Sequence, residues 1–156
     1  MILRLNNSPL EVIIDEDDFG RCSQHTWTLI GGCKGPRIHT VINKTVISIG
    51  RFLLRYKGDL TIDHIDRNFL NCRKNNLRLA TNSQNNANKN KISLSTSSKY
   101  KGVTWDKAIK KWRAQIMVNK KQNHLGSYSS EKAAAKAYNK AALKYFKEFA
   151  RLNNIW

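Results

Sequence analysis

The sequence predicts an α+β protein built from two modules. A small β-rich segment leads into a strand–loop–strand–helix core, and a three-stranded antiparallel sheet packed on one helix follows. Three observations carry this. Short apolar runs bracket a polar, Asn-rich loop between positions 60 and 91. Trp112, Ala114 and Ile116 alternate with Arg113, Gln115 and Met117, the period of a strand with one buried face. The run after Ser130 is striped with alanine, whose small side chain lets a helix lie close on a sheet. The expected boundaries are 1–91 for the first module, with its core at 60–91, then 92–98 for a linker and 99–156 for the second module.

Taken in order, Glu11–Asp15 is expected as a short strand, and Asp15–Asp18 as an acidic turn or helix cap rather than a metal cluster. Arg37–Val41 and Thr45–Ile49 flank Asn43-Lys44 and predict a hairpin. Ile49, Phe52, Leu53 and Tyr56 recur at helical spacing before Gly58, a plausible terminator, and this stripe is core. His25 and His39 have no partner pattern and are taken as structural. The core then runs as strand Leu60–Ile65, polar loop Asp66–Asn75, strand Asn76–Thr81 and a helix opening at Asn82 or Ser83. Residues 92–98 are small and polar without periodicity, as in a linker. Tyr100–Asp106, Lys111–Val118 and His124–Tyr128 are the three later strands. The final helix starts after Ser129 or Ser130 as N-cap, with Glu131 in its first turn. Its expected inner stripe is Ala134, Ala137, Tyr138, Ala141 and Tyr145.

The formal charge of +17 on 156 residues points to a polyanionic partner. Residues 1–60 contribute +2, residues 61–97 contribute +4 and residues 98–156 contribute +11, so the last third is the main electrostatic handle. No helix pattern pairs a broad apolar face with a basic one, and no apolar run approaches the roughly 18 residues of a membrane span. Nucleic acid is therefore favoured over a membrane surface. Cys22, Cys33 and Cys72 form no CxxC pair and leave an odd count, so neither a disulfide framework nor a zinc site is indicated. With no signal-peptide pattern, a reducing cytoplasm is the expected compartment.

The chemistry concentrates in one window. Asp63-His64, Asn76 and Asn85 fall within 23 residues. Asp63 offers a hard oxygen ligand suited to Mg²⁺. His64 can take a proton from water near neutral pH. Such a set can hold one divalent ion against a phosphodiester. Nine of the 23 residues from Asn68 to Asn90 are Asn, so a turn-forming surface segment is the bland alternative. The ordering argues for chemistry: Asp-His closes an apolar strand, Asn-Leu-Arg-Leu-Ala-Thr makes the next, and Gln-Asn-x-x-Asn lies on the helix. Asn86 or Asn88 could join or replace Asn85.

The stretch IDHIDRNFLNCRKNNLRLATNSQNNANKN resembles the ββα-metal core of HNH endonucleases, specifically the phage and intron-encoded homing type. The resemblance implies Asp63 and Asn85 as metal ligands, His64 as general base, and Asn76 as the residue that fixes the loop carrying His64. It implies one Mg²⁺ or Mn²⁺ per site, no small-molecule cofactor, and 5′-phosphate and 3′-hydroxyl products. Arg67, Arg73, Lys74 and Arg78 surround this window and are candidate clamps for flanking phosphates.

Residues 100–153 carry Tyr-x-Gly-Val, Lys-Trp-x-Ala-x-Ile, Leu-Gly-x-Tyr, Ala-x-Ala-Tyr-Asn-x-Ala-Ala and Ala-x-Leu-Asn. This set resembles the plant ethylene-response-factor type DNA-binding domain, which lays a three-stranded sheet in the major groove. The plant family contacts DNA largely through arginines and an aromatic at positions that hold Lys101, Thr104, Gln115, Met117 and His124 in this chain, so the fold carries over and the target does not. On this mapping Arg113, Gln115 and Met117 face DNA, and Arg and Gln are the side chains that pair with guanine and adenine edges. Lys101 and Lys111 position the backbone. Together the two resemblances imply a metal-dependent, site-specific DNA endonuclease acting on double-stranded DNA. One core cuts one strand, so a monomer, the favoured state, would nick. The alternative is a DNA-binding transcriptional regulator with an inactive nuclease core.

Overall fold

The structure, a computed structural model, describes residues 1–31, 35–90 and 97–156. The chain divides into two units, Met1–Ala80 and Thr81–Trp156.

In the first unit, β1 (Ile2–Leu5) and β2 (Ser8–Ile13) form an antiparallel hairpin. Only part of β2 is expected from the sequence, because Pro9 and the flanking polar residues mask the alternation. Asp15 then occupies the N-cap position of α1 (Glu16–Cys22), a helix not expected as such. Its first turn holds Glu16, Asp17 and Asp18, acidic groups that suit the positive end of a helix. Asp18 is buried, and its carboxylate lies 2.6 Å from Arg21 and 2.7 Å from Lys74.

β3 (Thr28–Ile30), β4 (Arg37–Ile42) and β5 (Thr45–Ser48) make a three-stranded antiparallel sheet in that order. Asn43 and Lys44 both adopt positive φ at the β4–β5 turn, as a two-residue type I′ hairpin requires. α2 (Ile49–Leu53) is shorter than its apolar spacing suggests. Arg55 turns to φ +50°, so Tyr56 leaves the helical stripe and its hydroxyl accepts a hydrogen bond from the Leu60 N–H at 3.1 Å. β6 (Thr61–His64) and β7 (Leu77–Ala80) pair antiparallel, with Asp63 opposite Arg78 and His64 opposite Leu77. The loop between them ends in a 3-10 turn, Lys74–Asn76. Val12, Ile14, Cys22, Trp27, Leu53, Cys72 and Leu77 are among the buried core residues, and their removal from water drives the unit's folding.

The second unit opens with α3 (Asn82–Asn88). Thr81 is its N-cap: the Thr81 hydroxyl accepts from the Gln84 N–H at 3.2 Å, and the Gln84 side chain accepts from the Thr81 N–H at 2.8 Å. This reciprocal pair is a capping box. β8 (Val103–Asp106), β9 (Lys111–Val118) and β10 (Lys121–Tyr128) form an antiparallel sheet with β9 central. Tyr100, Val103 and Ala114 form a buried cluster with Ala134 and Ala135 of α4 (Glu131–Phe146).

The buried face of α4 differs from the expected stripe. Ala134, Ala135, Tyr138, Ala142 and Phe146 are buried, whereas Tyr145 is 44% exposed and Ala137 and Ala141 are half-buried. Near its C-terminal end the inner line runs through 138, 142 and 146, so the apolar Phe146 packs inward and Tyr145 stays on the outer side. Residues 92–96 of the expected linker lie outside the described residues. Its last two positions engage the second unit: Ser97 Oγ accepts from the Trp105 N–H at 2.7 Å, and the Ser98 hydroxyl donates to Glu131 at 2.6 Å. Among the described residues no helix is long and apolar enough to cross a membrane.

Gly102 explains the Tyr-x-Gly-Val motif. Its φ is +72°, and a Cβ there would lie 2.1 Å from the Tyr138 ring and 2.6 Å from the Gln115 carbonyl oxygen. Neither neighbour can withdraw, since Tyr138 is buried and Gln115 is in the central strand. Gly102→Ala is therefore expected to lower unfolding stability by about 2 kcal/mol or more. Urea denaturation of the variant against the parent checks this.

Candidate active site and nucleic-acid interface

β6 carries Asp63 and His64 at its C-terminal end, where a strand can present adjacent side chains to opposite sides. Asp63 is buried, and its Oδ2 accepts from Arg78 Nε at 2.9 Å while Arg78 Nη2 lies 2.9 Å from the same oxygen. Arg78 sits directly across on β7, so cross-strand register alone brings the pair together. This contact balances the charge of a carboxylate taken out of water and fixes its orientation.

His64 is half-buried. Burial pushes its imidazole below the ordinary histidine value; the nearby carboxylates of Asp66 and Asp63 pull the other way without overcoming it. The ring is thus neutral near neutral pH, the state in which it accepts a proton. Its Nε2 lies 3.6 Å from Cys72 Sγ. Burial raises the Cys72 thiol to about 12, so this neighbour is a neutral thiol and not a thiolate.

The loop behind His64 is organised by Asn76, which is buried. Its Oδ1 accepts from the Asp66 N–H at 3.0 Å. Its Nδ2 donates to Asp66 Oδ1 at 2.8 Å and to the Asn71 carbonyl at 2.7 Å. The Asn76 backbone carbonyl accepts from the Ile65 N–H at 2.9 Å. Asp66 itself accepts from the Asn68 N–H at 2.8 Å and from Asn71 Nδ2 at 2.8 Å. Burial would raise the Asp66 carboxyl, but these amide donors and the His64 ring outweigh it, and its pKa is lowered. From outside, the loop is pinned by β2: Ile13 N–H donates to the Leu70 carbonyl and Cys72 N–H to the Ile13 carbonyl, both at 2.8 Å.

The remaining expected site residues divide by position. Asn85 is half-buried on α3 in the second unit, with its N–H bonded to the Thr81 carbonyl; Asn88 on the same helix is buried and Asn86 is exposed. Arg67 and Arg73 are exposed in the β6–β7 loop, and Arg67, at φ +68°, donates its N–H to the His64 carbonyl. Lys74 and Arg78 already hold Asp18 and Asp63. On the sheet, Arg113 and Met117 are exposed and Gln115 half-buried, while Ala114 and Ile116 face inward. Lys111 and His124 are also exposed, and Thr104 is half-buried opposite Arg113. Arg113 is bonded to Asp106, and Gln115 to Gln122. Lys101 is directed to α3, as described below. Sequence reasoning missed Asp66, Asn71 and Cys72. Asp66 lay two residues from His64 in plain view; nothing in the sequence links Cys72 to the histidine.

The donor chemistry can be tested against the divalent ion that the resemblance implies. Among the described residues no group of three or more His, Cys, Asp or Glu side chains could hold a metal. A carboxylate is a hard-oxygen donor, and Mg²⁺ is commonly held by one or two carboxylates, water and phosphate oxygens. Asp63, a buried carboxylate, supplies an oxygen donor of that kind.

Comparison with known proteins agrees with both halves. Residues 55–87 match the HNH endonuclease family, a span that includes Asp63, His64, Asn76 and Asn85, and residues 98–148 match the AP2 domain. An uncharacterized HNH endonuclease of Acanthamoeba polyphaga mimivirus is 40% identical over 98 residues, 63% of this chain and 49% of that protein. Protein 3.8 of Escherichia phage T7 is 41% identical over 66 residues, 42% of this chain and 54% of that protein. APETALA2-like protein 2 of Oryza sativa is 41% identical over 51 residues, 33% of this chain and 12% of that protein. The chain thus spans about half the length of the mimivirus and T7 proteins it matches. No solved structure matches it.

The lowered histidines set a pH dependence of stability. Burial lowers both His64 and His39, the latter with help from Arg37. The unfolded chain then binds more protons below the ordinary value of 6.5, so this stability is complete above 6.5 and is lost as pH falls through the folded values. Urea midpoints are expected to be lower at about pH 5.5 than at about pH 7.5, with a smaller drop in His39→Gln.

Proposed function

We propose that this chain, which joins an HNH endonuclease segment to an AP2 domain, is a metal-dependent, site-specific endonuclease of double-stranded DNA. The observation that carries the reading is the Asp63–His64 pair at the end of β6, backed by a loop that Asn76 holds through three side-chain hydrogen bonds. A scaffold that needed only a turn would not require a buried carboxylate beside a neutral histidine.

In this mechanism His64 takes the proton from the attacking water, a role its lowered pKa suits. Asn76 keeps the segment after His64 in place, so the ring does not drift from the phosphate. Asp63, and Asn85 as the family resemblance implies, are the oxygen ligands for one Mg²⁺ or Mn²⁺. When bound, such an ion stabilises negative charge on the phosphate and the departing 3′ oxygen. Arg78 holds the Asp63 carboxylate in one orientation, and the exposed Arg67 and Arg73 engage flanking phosphates. The outward row on β9, Arg113, Gln115 and Met117, reads base edges in the major groove. The reading is of the homing type, with a monomer that nicks one strand.

His64→Ala removes the proton acceptor but leaves the charge and the β9 face intact. Its cleavage rate is expected to fall by about 10² or more, while duplex affinity in a mobility-shift titration stays at the parental value. Cleavage by His64→Ala at the parental rate would remove His64 from the chemistry.

A further inference from the structure

Lys101 stands in the first strand region of the AP2 domain, where a lysine is expected to meet DNA phosphate. Its side chain goes elsewhere. Lys101 Nζ donates to the carbonyl oxygens of Asn86 at 3.1 Å, Ala87 at 2.6 Å and Lys89 at 2.7 Å. A lysine ammonium has three N–H donors and no acceptor, and three carbonyls of one helix end lie within reach of this one.

The acceptors are the end of α3. The last carbonyls of a helix have no partner within it, and the helix dipole makes that end negative. α3 closes at Lys89 with extended backbone, φ −62° and ψ 146°, and not with a glycine turn. The ammonium therefore does the work of a C-cap. Arg151 N–H adds a second donor to Ala87 at 3.2 Å. At the other end of the helix, the Asn119 N–H in the β9–β10 turn donates to Ser83 Oγ at 3.1 Å. Both ends of α3 are thus held by the sheet domain.

Lys101 is itself held rigidly. Its N–H donates to Asn153 Oδ1 at 2.7 Å, and Asn153 Nδ2 donates to its carbonyl at 3.0 Å. Asn153 is in turn bonded to Asn139 on α4, in both directions, at 2.7 and 2.9 Å. The Asn of Ala-Tyr-Asn-x-Ala-Ala and the Asn of the final Ala-x-Leu-Asn meet in this relay, which runs from α4 through Asn153 and Lys101 to α3.

We propose that Lys101 is a positioning residue of the nuclease, capping the helix that carries Asn85 and seating it on the frame of the DNA-binding sheet, and that it is not a DNA contact. Its effect on cleavage rests on the nuclease reading above; its place at α3 does not. The consequence is that the helix of the HNH segment moves with the sheet that reads DNA, so recognition and this part of the catalytic segment keep one register.

The test uses the full chain with Lys101→Met, which keeps the aliphatic stem and removes the donors. Three quantities are measured: hydrogen exchange of the α3 amides, the salt dependence of binding to a random-sequence duplex, and cleavage kinetics where the parent cleaves. Exchange in α3 is expected to rise about tenfold, the salt slope to stay at the parental value, and kcat to fall with KM unchanged. A salt slope shallower by about 0.9, the signature of one lost phosphate contact, overturns the proposal, as does α3 exchange at the parental rate or an unchanged kcat in a cleaving parent. If Lys101→Met does not fold, Lys101→Arg takes its place. Arginine keeps the charge, but its planar fork cannot point three N–H groups at these carbonyls, so faster α3 exchange at an unchanged salt slope is again expected and parental exchange again overturns the proposal. Failure of the nuclease reading appears separately, as no cleavage by the parent.

Discussion

The hydrogen bonds of the Asn76 side chain are the constraint on which the first unit's proposed chemistry depends. The connection from β6 to β7 is long for a hairpin and rich in residues with many turn conformations. Left to itself it would sample many of them, and ordering each residue costs about 1–2 kcal/mol. Asn76 offsets this by uniting Asp66 and Asn71 around one buried amide, so that all three hydrogen bonds form or fail together. The surrounding structure serves the same end. β2 pins residues 70 to 72, and α1 holds the turn through Asp15 and Asp18, with the Lys74 N–H on Asp15 at 2.7 Å. The N-terminal hairpin and α1, which carry none of the expected chemistry, are thus the buttress for the strand end that presents His64.

Charge in this chain is divided between the interior and the surface. Several of its few acidic side chains sit in internal contacts: Asp18 with Arg21 and Lys74, Asp63 with Arg78, and Glu131 with Ser98. Breaking a buried pair from one side leaves an uncompensated charge and costs about 3–5 kcal/mol, so Asp63 and Arg78 are coupled as a structural unit. The excess of lysine and arginine remains for the solvent side. That arrangement suits a polyanion partner whose binding weakens as salt rises.

Much of the fold was legible from the sequence because its signals are local. Asn43-Lys44 marked a hairpin, the alternation through Trp112–Met117 marked the central strand of the second sheet, and the apolar runs at Asp63-His64 and after Asn76 marked β6 and β7. α3 could have been placed more sharply: Thr81 and Gln84 have the spacing of a capping box. α1 and the β1–β2 hairpin were obscured by short length and polar composition. Along α4 the stripe was misassigned at Tyr145, because an alanine-rich helix offers two near-equivalent faces and only packing chooses between them. The fates of the cations were illegible for a different reason. Lys74 meets Asp18 across 56 positions, and Lys101 meets carbonyls that carry no sequence signature at all. Composition shows that cations are abundant, and only tertiary structure shows which are engaged inside.

The most direct measurement is cleavage of supercoiled plasmid and of candidate target duplexes by the unmodified chain, with Mg²⁺ or Mn²⁺ and then with EDTA, followed by analysis of the new ends. The expected result is metal-dependent conversion to nicked circles, abolished by EDTA, with 5′-phosphate and 3′-hydroxyl termini at defined positions. Tight duplex binding with no strand scission in any divalent metal would contradict it and would identify the chain as a DNA-binding protein whose nuclease segment serves only as scaffold.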